Sequence, residues 1–191
     1  MTNALFSYFD QLHRLSQPAR AALTNLCSIL ELPKNAVLQP IGQPCRTIYF
    51  MEKGIARIYY YKDGLEVTEY FAREQQLIVR AESLFKGIPS QKGIQVLEDS
   101  ILTAIPAGAL FQLFDEHHEI ERLFRKIIET AYVDTVLRLE SLQFNSAEER
   151  YIRLVEGTPD ILKRVPLKYI ASYLGITQVS LSRIRAKRTP R

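Results

Sequence analysis

Cysteine is scarce in this 191-residue chain. The two thiols, Cys27 and Cys45, are too few for a disulfide-dense scaffold or for all the ligands of a Cys-only iron–sulfur cluster. They could pair or sense redox state, but buried structural thiols are the plainer reading. No apolar run approaches the roughly 20 residues of a membrane-spanning helix, so no membrane partner is expected. Met1-Thr2-Asn3-Ala4-Leu5 has no basic stretch, and Asp10, His13 and Arg14 follow, which argues against a secretory signal. A reduced, cytoplasmic protein fits. No Gly-rich phosphate loop, Ser-His-Asp set or Cys-x-x-Cys is present. The chain reads as a non-enzyme with no catalytic residues, cofactor or metal. Adjacent His117 and His118 point to different faces of a helix and do not readily share one ion.

What is present supports a folded protein: 47% of residues are hydrophobic and 24% charged. The net charge of +4 is unevenly spread. Residues 160–191 hold eight Lys/Arg and one acid, Asp160, giving +7 against −3 for the rest. A basic end on a mildly acidic body suits a polyanion. A solubilising tail accounts for the charge equally well.

The hydrophobic period changes along the chain. Residues 5–31 read as helix: Leu5, Phe9, Leu12 and Leu15 recur at three- and four-residue spacing, as do Leu23, Leu26, Ile29 and Leu30 after Pro18. Ser16 or Gln17 is placed to cap the second helix. Residues 34–105 turn to short β-rich runs, at 48–51, 56–61, 65–71, 94–97 and 101–105, with a hairpin signal at Asp63-Gly64. Many short strands suggest a closed or sandwiched β-domain. A short helix at 107–114 and an amphipathic helix at 119–144 follow. Thr130 and Asp134 interrupt that helix's apolar stripe, which needs a second surface: its own β-domain or a second subunit. Ser146-Ala147-Glu148-Glu149 is a capping box that starts a helix ending at Gly157.

Residues 167–186 carry the functional reading. Ile170, Ala171 and Leu174 fall on one face of a first helix. Gly175 sits where a turn needs positive φ. Ile176 plugs the turn, Thr177 caps a second helix, and Leu181 and Ile184 face inward. This is a helix-turn-helix. Its second helix offers Gln178, Val179 and Arg183 to base edges, with Arg183 matched to guanine and Gln178 to adenine. Ser180, Ser182, Arg185, Lys187 and Arg188 suit phosphates, and Thr177 lies at the same end. The expected partner is double-stranded DNA; the plainer alternative for the same pattern is an ordinary helical hairpin in a packed bundle.

At this point the chain resembles a Crp/Fnr-type transcription regulator. Residues 46–57 resemble that family's first effector-domain hairpin, and 98–102 the stretch leading to its last strand. The resemblance implies an α+β architecture: a jelly-roll, cyclic-nucleotide-binding-like domain at 1–118, a dimerisation helix at 119–144, and a DNA-binding domain at 145–191. It also implies a homodimer on a two-fold symmetric operator, and RNA polymerase as a further partner. Three positions depart from the pattern. The cyclic-nucleotide binders hold the phosphate with an Arg-Ser/Thr pair, where this chain has Ser90-Gln91. A buried cyclic phosphate needs a paired cation, so a different small-molecule effector, or none, is expected at Arg80, Glu82, Ser83, Ser90 and Gln91, with a surface Arg80–Glu82 ion pair as the plainer reading of those two. Lys92 or Arg80 could substitute only if redirected. Second, the winged-helix-like end has a truncated or absent wing. Third, Val179 replaces a common Glu and suits a thymine methyl rather than a cytosine amine. The alternative reading is a ligand- or protein-binding interaction module with a vestigial helix-turn-helix.

Overall fold

The computed structural model describes residues 3–187. Two short helices open the chain, α1 (Asn3–Leu12) and α2 (Gln17–Leu26). Ser16 caps α2 by accepting the Ala19 N–H, and Pro18 lies in its first turn, where a missing N–H costs nothing. The helical spacing overruns at this point. Ile29 and Leu30 belong not to a helix but to β1 (Ser28–Leu32), paired with β8 (Ser100–Pro106) as Leu30↔Leu102. Extended Cys27 ends the helix, and an available sheet edge outweighs the local period.

The remaining strands are β2 (Val37–Gln39), β3 (Thr47–Lys53), β4 (Ala56–Lys62), β5 (Leu65–Ala72), β6 (Leu77–Ile78) and β7 (Gly93–Val96). They form two antiparallel four-stranded sheets, ordered β1-β8-β3-β6 and β2-β7-β4-β5, the double-sheet arrangement of a jelly roll. Met51, Ile58, Ala72, Ile94, Val96 and Leu102 fill the space between them. The β4–β5 hairpin turns at Asp63 (φ 52°) and Gly64 (φ 76°), the two positive φ values that a type I′ turn demands. The sequence patterning did not reveal β1, β2, β6 or α3 (Ala81–Lys86), the last closed by Gly87 at φ 66°.

Helix α4 (Ala107–Glu116) leads into α5 (His118–Phe144). Ile120, Leu123, Phe124 and Ile127 of α5 are buried with Leu5, Phe9 and Leu23 of α1 and α2 and with Ile48 and Phe50 of β3. Past Ile127 the burial of α5 stops. Ile128, Tyr132, Leu139 and Leu142 are exposed with Thr135 between them, at alternating four- and three-residue spacing. The stripe read from the sequence is therefore two surfaces, one folded onto its own domain and one open.

The chain ends in α6 (Ala147–Gly157), α7 (Ile161–Arg164), α8 (Leu167–Tyr173) and α9 (Gln178–Ala186). The capping box at Ser146 and Glu149 is formed, each satisfying the other's backbone N–H. Among the described residues no helix is long and apolar enough to cross a membrane.

Candidate nucleic-acid interface

The α8–α9 turn is built by local chemistry. Ile176 N–H bonds Ala171 O (3.0 Å) and Gly175 N–H bonds Ser172 O (3.1 Å), the two bonds of a Schellman motif. Gly175 sits at φ 69°. Thr177 then accepts the Ser180 N–H (3.1 Å) and caps α9. Ile170, Ala171, Leu174 and Leu181 are buried with Tyr151, Ile161 and Val165, and Ile184 packs against them half-buried.

That packing decides which side chains of α9 face outward. Gln178, Val179, Ser182 and Arg183 are exposed, Val179 at 61%, as is Lys187 just past the helix end. Ser180 is half-buried with its hydroxyl 3.0 Å from Thr177 Oγ1, and Arg185 is half-buried and already engaged. Arg188 lies outside the described residues. From Ile161 onward the chain has no Asp or Glu, so every charged side chain of this segment is basic.

The helix-turn-helix is seated on the β-domain of the same chain. Ser172 Oγ accepts the Thr68 N–H of β5 (3.1 Å), and the Phe71 and Tyr173 rings lie 5.0 Å apart. Arg57 of β4 is 1% exposed. It bonds Gln95 Oε1 twice, pairs with Glu66 at 2.8 Å and lies 3.6 Å from the centre of the Tyr169 ring of α8. Arg164 of α7 bridges Glu74 and Glu98, both at 2.5 Å. Burial pushes the Glu74 carboxyl up, but hydrogen bonds from Arg164 and the Gly54 N–H outweigh it and hold it below the usual carboxylate range. Motif reading missed this seat. The available signal was a lone arginine, Arg57, inside an otherwise apolar and aromatic strand.

The five candidate effector residues do come together. Arg80, Glu82, Ser83, Ser90 and Gln91 border one cavity of about 90 Å³. Its hydroxyls are already occupied. Ser83 accepts Cys45 N–H (2.8 Å) and donates to Ile88 O (2.5 Å), while Ser90 donates to Lys92 O (2.7 Å). Arg80 and Glu82 do not pair with each other: Arg80 faces Glu69 (3.7 Å) and Glu82 pairs with Lys86 (3.2 Å). Lys92 also pairs with Glu69, at 2.6 Å. The two cations that could have replaced a phosphate-holding arginine thus share the Glu69 carboxylate.

Both cysteines are free; burial, and secondarily Glu52, pushes the half-buried Cys27 thiol up to about 11, away from thiolate chemistry at neutral pH. Among the described residues no group of three His, Cys, Asp or Glu is placed to hold a metal ion.

The family model of the cyclic nucleotide-binding domain matches residues 21–117. No curated protein matches the chain by sequence. Among solved structures, a putative transcriptional regulator of the Crp/Fnr family from Eubacterium rectale superposes with a TM-score of 0.73, covering 97% of this chain and 87% of its own, at 16% identity. The c-di-GMP-responsive global regulator CLP of Xanthomonas campestris gives 0.69 over 90% and 91%, also at 16% identity. The Thermus thermophilus catabolite activator protein gives 0.57 over 92% and 84%, again at 16% identity. Likeness at such identities shows a shared fold, here the Crp/Fnr arrangement of β-roll, long helix and helix-turn-helix.

Proposed function

The chain belongs to the cyclic nucleotide-binding domain family through residues 21–117, and from that premise we propose that it is a sequence-specific DNA-binding transcription regulator of the Crp/Fnr type. The observation that carries this reading is α9: capped by Thr177, anchored by Leu181, and presenting Gln178, Val179, Ser182 and Arg183 outward from an acid-free segment. In the major groove Arg183 bonds guanine O6 and N7, Gln178 bonds adenine, and Val179 packs on a thymine methyl. Ser182 and Lys187, with Thr177, Ser180, Arg185 and Arg188 around them, hold phosphates and set the register.

In this reading residues 1–118 form the sensing domain, 119–144 the dimerisation helix and 145–191 the DNA-binding domain. The open stripe of Ile128, Tyr132, Thr135, Leu139 and Leu142 supports a homodimer, because its 4–3 spacing is that of a helix seam. Two copies then read half-sites about one turn of duplex, ~34 Å, apart. In this reading the effector is not a cyclic nucleotide: Ser90-Gln91 stands where the phosphate-holding arginine pair is expected, and the serines of the small cavity there, about 90 Å³, already serve the backbone.

The test is selection of bound sequences from a random duplex pool, with wild type and Arg183→Ala in parallel. Enrichment of a two-fold symmetric site by wild type, with the preference at the base position read by Arg183 lost in the variant, is the expected result. No enrichment, together with duplex affinity that does not fall with salt, would overturn the reading. The interaction-module alternative would then take its place.

A further inference from the structure

We propose that a cleft at the joint between the long helix and the helix-turn-helix binds a small phosphorylated molecule, held by Arg73, Arg138, Arg150 and Arg153. The cleft has a volume of about 250 Å³ and lies between the end of α5, helix α6 and the end of α8. Four guanidinium groups border it and no carboxylate does. None of the four makes an ion pair among the described residues.

Backbone carbonyls orient three of them without neutralising them. Arg73 donates to Gly157 O (2.7 Å), Arg138 to Tyr173 O (3.2 Å), and Arg150 to both Asn145 O (2.5 Å) and Leu174 O (2.8 Å). Arg153 is exposed, with the Glu149 carboxylate as its electrostatic neighbour. Each guanidinium carries five donors, so most of those on Arg73, Arg138 and Arg153 remain for a ligand. The Arg150 Nε is buried with no partner, a donor left unsatisfied at a cost. Arg138 is further fixed by lying 3.8 Å from the centre of the Tyr173 ring. Converging like charges repel, and a planar fork matches phosphate oxygens bidentately. A phosphate dianion here would remove the repulsion and take up the open donors of Arg73, Arg138 and Arg153. An adjoining lobe of about 260 Å³ shares Arg73, Arg138 and Tyr173 and adds Tyr70, Phe71 and Asp134, leaving room for the organic part of the ligand.

The site is separate from the outward face of α9, so its occupancy does not depend on the DNA-binding reading. Its position still gives it leverage. A ligand here would grip three segments, α5, α6 and the loop after β5, beside the carbonyl end of α8. If it favours one orientation of α8 and α9, DNA affinity must change, and DNA must change ligand affinity by the same factor.

The experiment is thermal unfolding of the whole chain with inorganic pyrophosphate as the probe, at ionic strength held constant with sodium chloride. The expected result is a saturable rise in Tm for wild type. Arg153→Gln should weaken the response about tenfold, the loss of one charge-assisted contact. Arg153 has no bond that the fold depends on. Ser141→Glu places a carboxylate in the cleft and should raise the ligand-free Tm while abolishing the response. Arg122→Gln, elsewhere on α5, should respond as wild type does. No saturable rise in wild type, or an equal rise in Arg153→Gln, would overturn the proposal. So would loss of random-duplex affinity in Arg153→Gln without any pyrophosphate response, which would assign these arginines to the DNA backbone.

Discussion

The open stripe on α5 permits a quantitative prediction for the double variant Leu139→Ala, Leu142→Ala. Leu139 is 55% and Leu142 43% exposed in the single chain. Fully burying a leucine side chain stabilises by about 1.5–3 kcal/mol, so closing the remaining half is worth about 1 kcal/mol per side chain. A two-fold seam counts each position twice. Four side chains then contribute about 4 kcal/mol, and at ~1.4 kcal/mol per decade the dimer should dissociate about 10³-fold more readily. Both substitutions raise intrinsic helix propensity slightly, so α5 should stay helical by circular dichroism. Sedimentation equilibrium measures the constant directly. Val133→Ala, Leu137→Ala on the opposite side of the helix is the matched control, with exposures of 53% and 56%. The reasoning fails if the stripe variant and the control shift the constant equally, or if neither shifts it.

Other expectations test the site and its seat. Lys187→Ala should weaken binding to all duplexes evenly and lower the salt slope by about 1, whereas Arg183→Ala should cost ~1–3 kcal/mol at one base position only; filter binding across a salt series separates them. Thr177→Ala removes the cap on α9 and should cost ~1 kcal/mol in urea unfolding. Gly54→Ala places a Cβ against Ser100 Oγ at φ 105° and should destabilise the β-roll by ~1–3 kcal/mol in the same assay. Arg164→Gln frees Glu74, whose carboxyl is held below its ordinary value of 4.5. A depressed carboxyl stabilises above that value, and the benefit is lost as pH falls through the lower folded one. The stability gap between wild type and Arg164→Gln should therefore be widest above pH 4.5 and close below it.

How much was legible in the sequence follows the range of the interactions. The helix-turn-helix could be read because every feature of it is local: Gly175 for the positive φ, Thr177 for the cap, and Ile170, Ala171, Leu174 and Leu181 for one face. The Asp63-Gly64 hairpin, the Ser146 capping box and the Ser16 cap were legible for the same reason. Such signals involve residues within about five positions, where backbone stereochemistry leaves few choices.

Pairing partners that are distant in sequence decided the rest. Ile29 and Leu30 keep a helical spacing, yet they form a strand because β8, some 70 residues on, supplies an edge. The two-residue β6 exists only as the partner of β3 through Tyr49↔Ile78. The apolar pattern of α5 continues past Ile127 in sequence, interrupted only at Thr130 and Asp134, and only the position of α1, α2 and α4 shows where its own domain stops covering it. Arg57 meets Tyr169, and Arg73 meets the end of α6, only because the C-terminal helices dock on the β-domain. The local sequence determined which helix is the candidate reader of DNA. Tertiary packing decided what that helix is fastened to, because long-range contacts form only where the folded chain lowers the entropy cost of bringing their partners together.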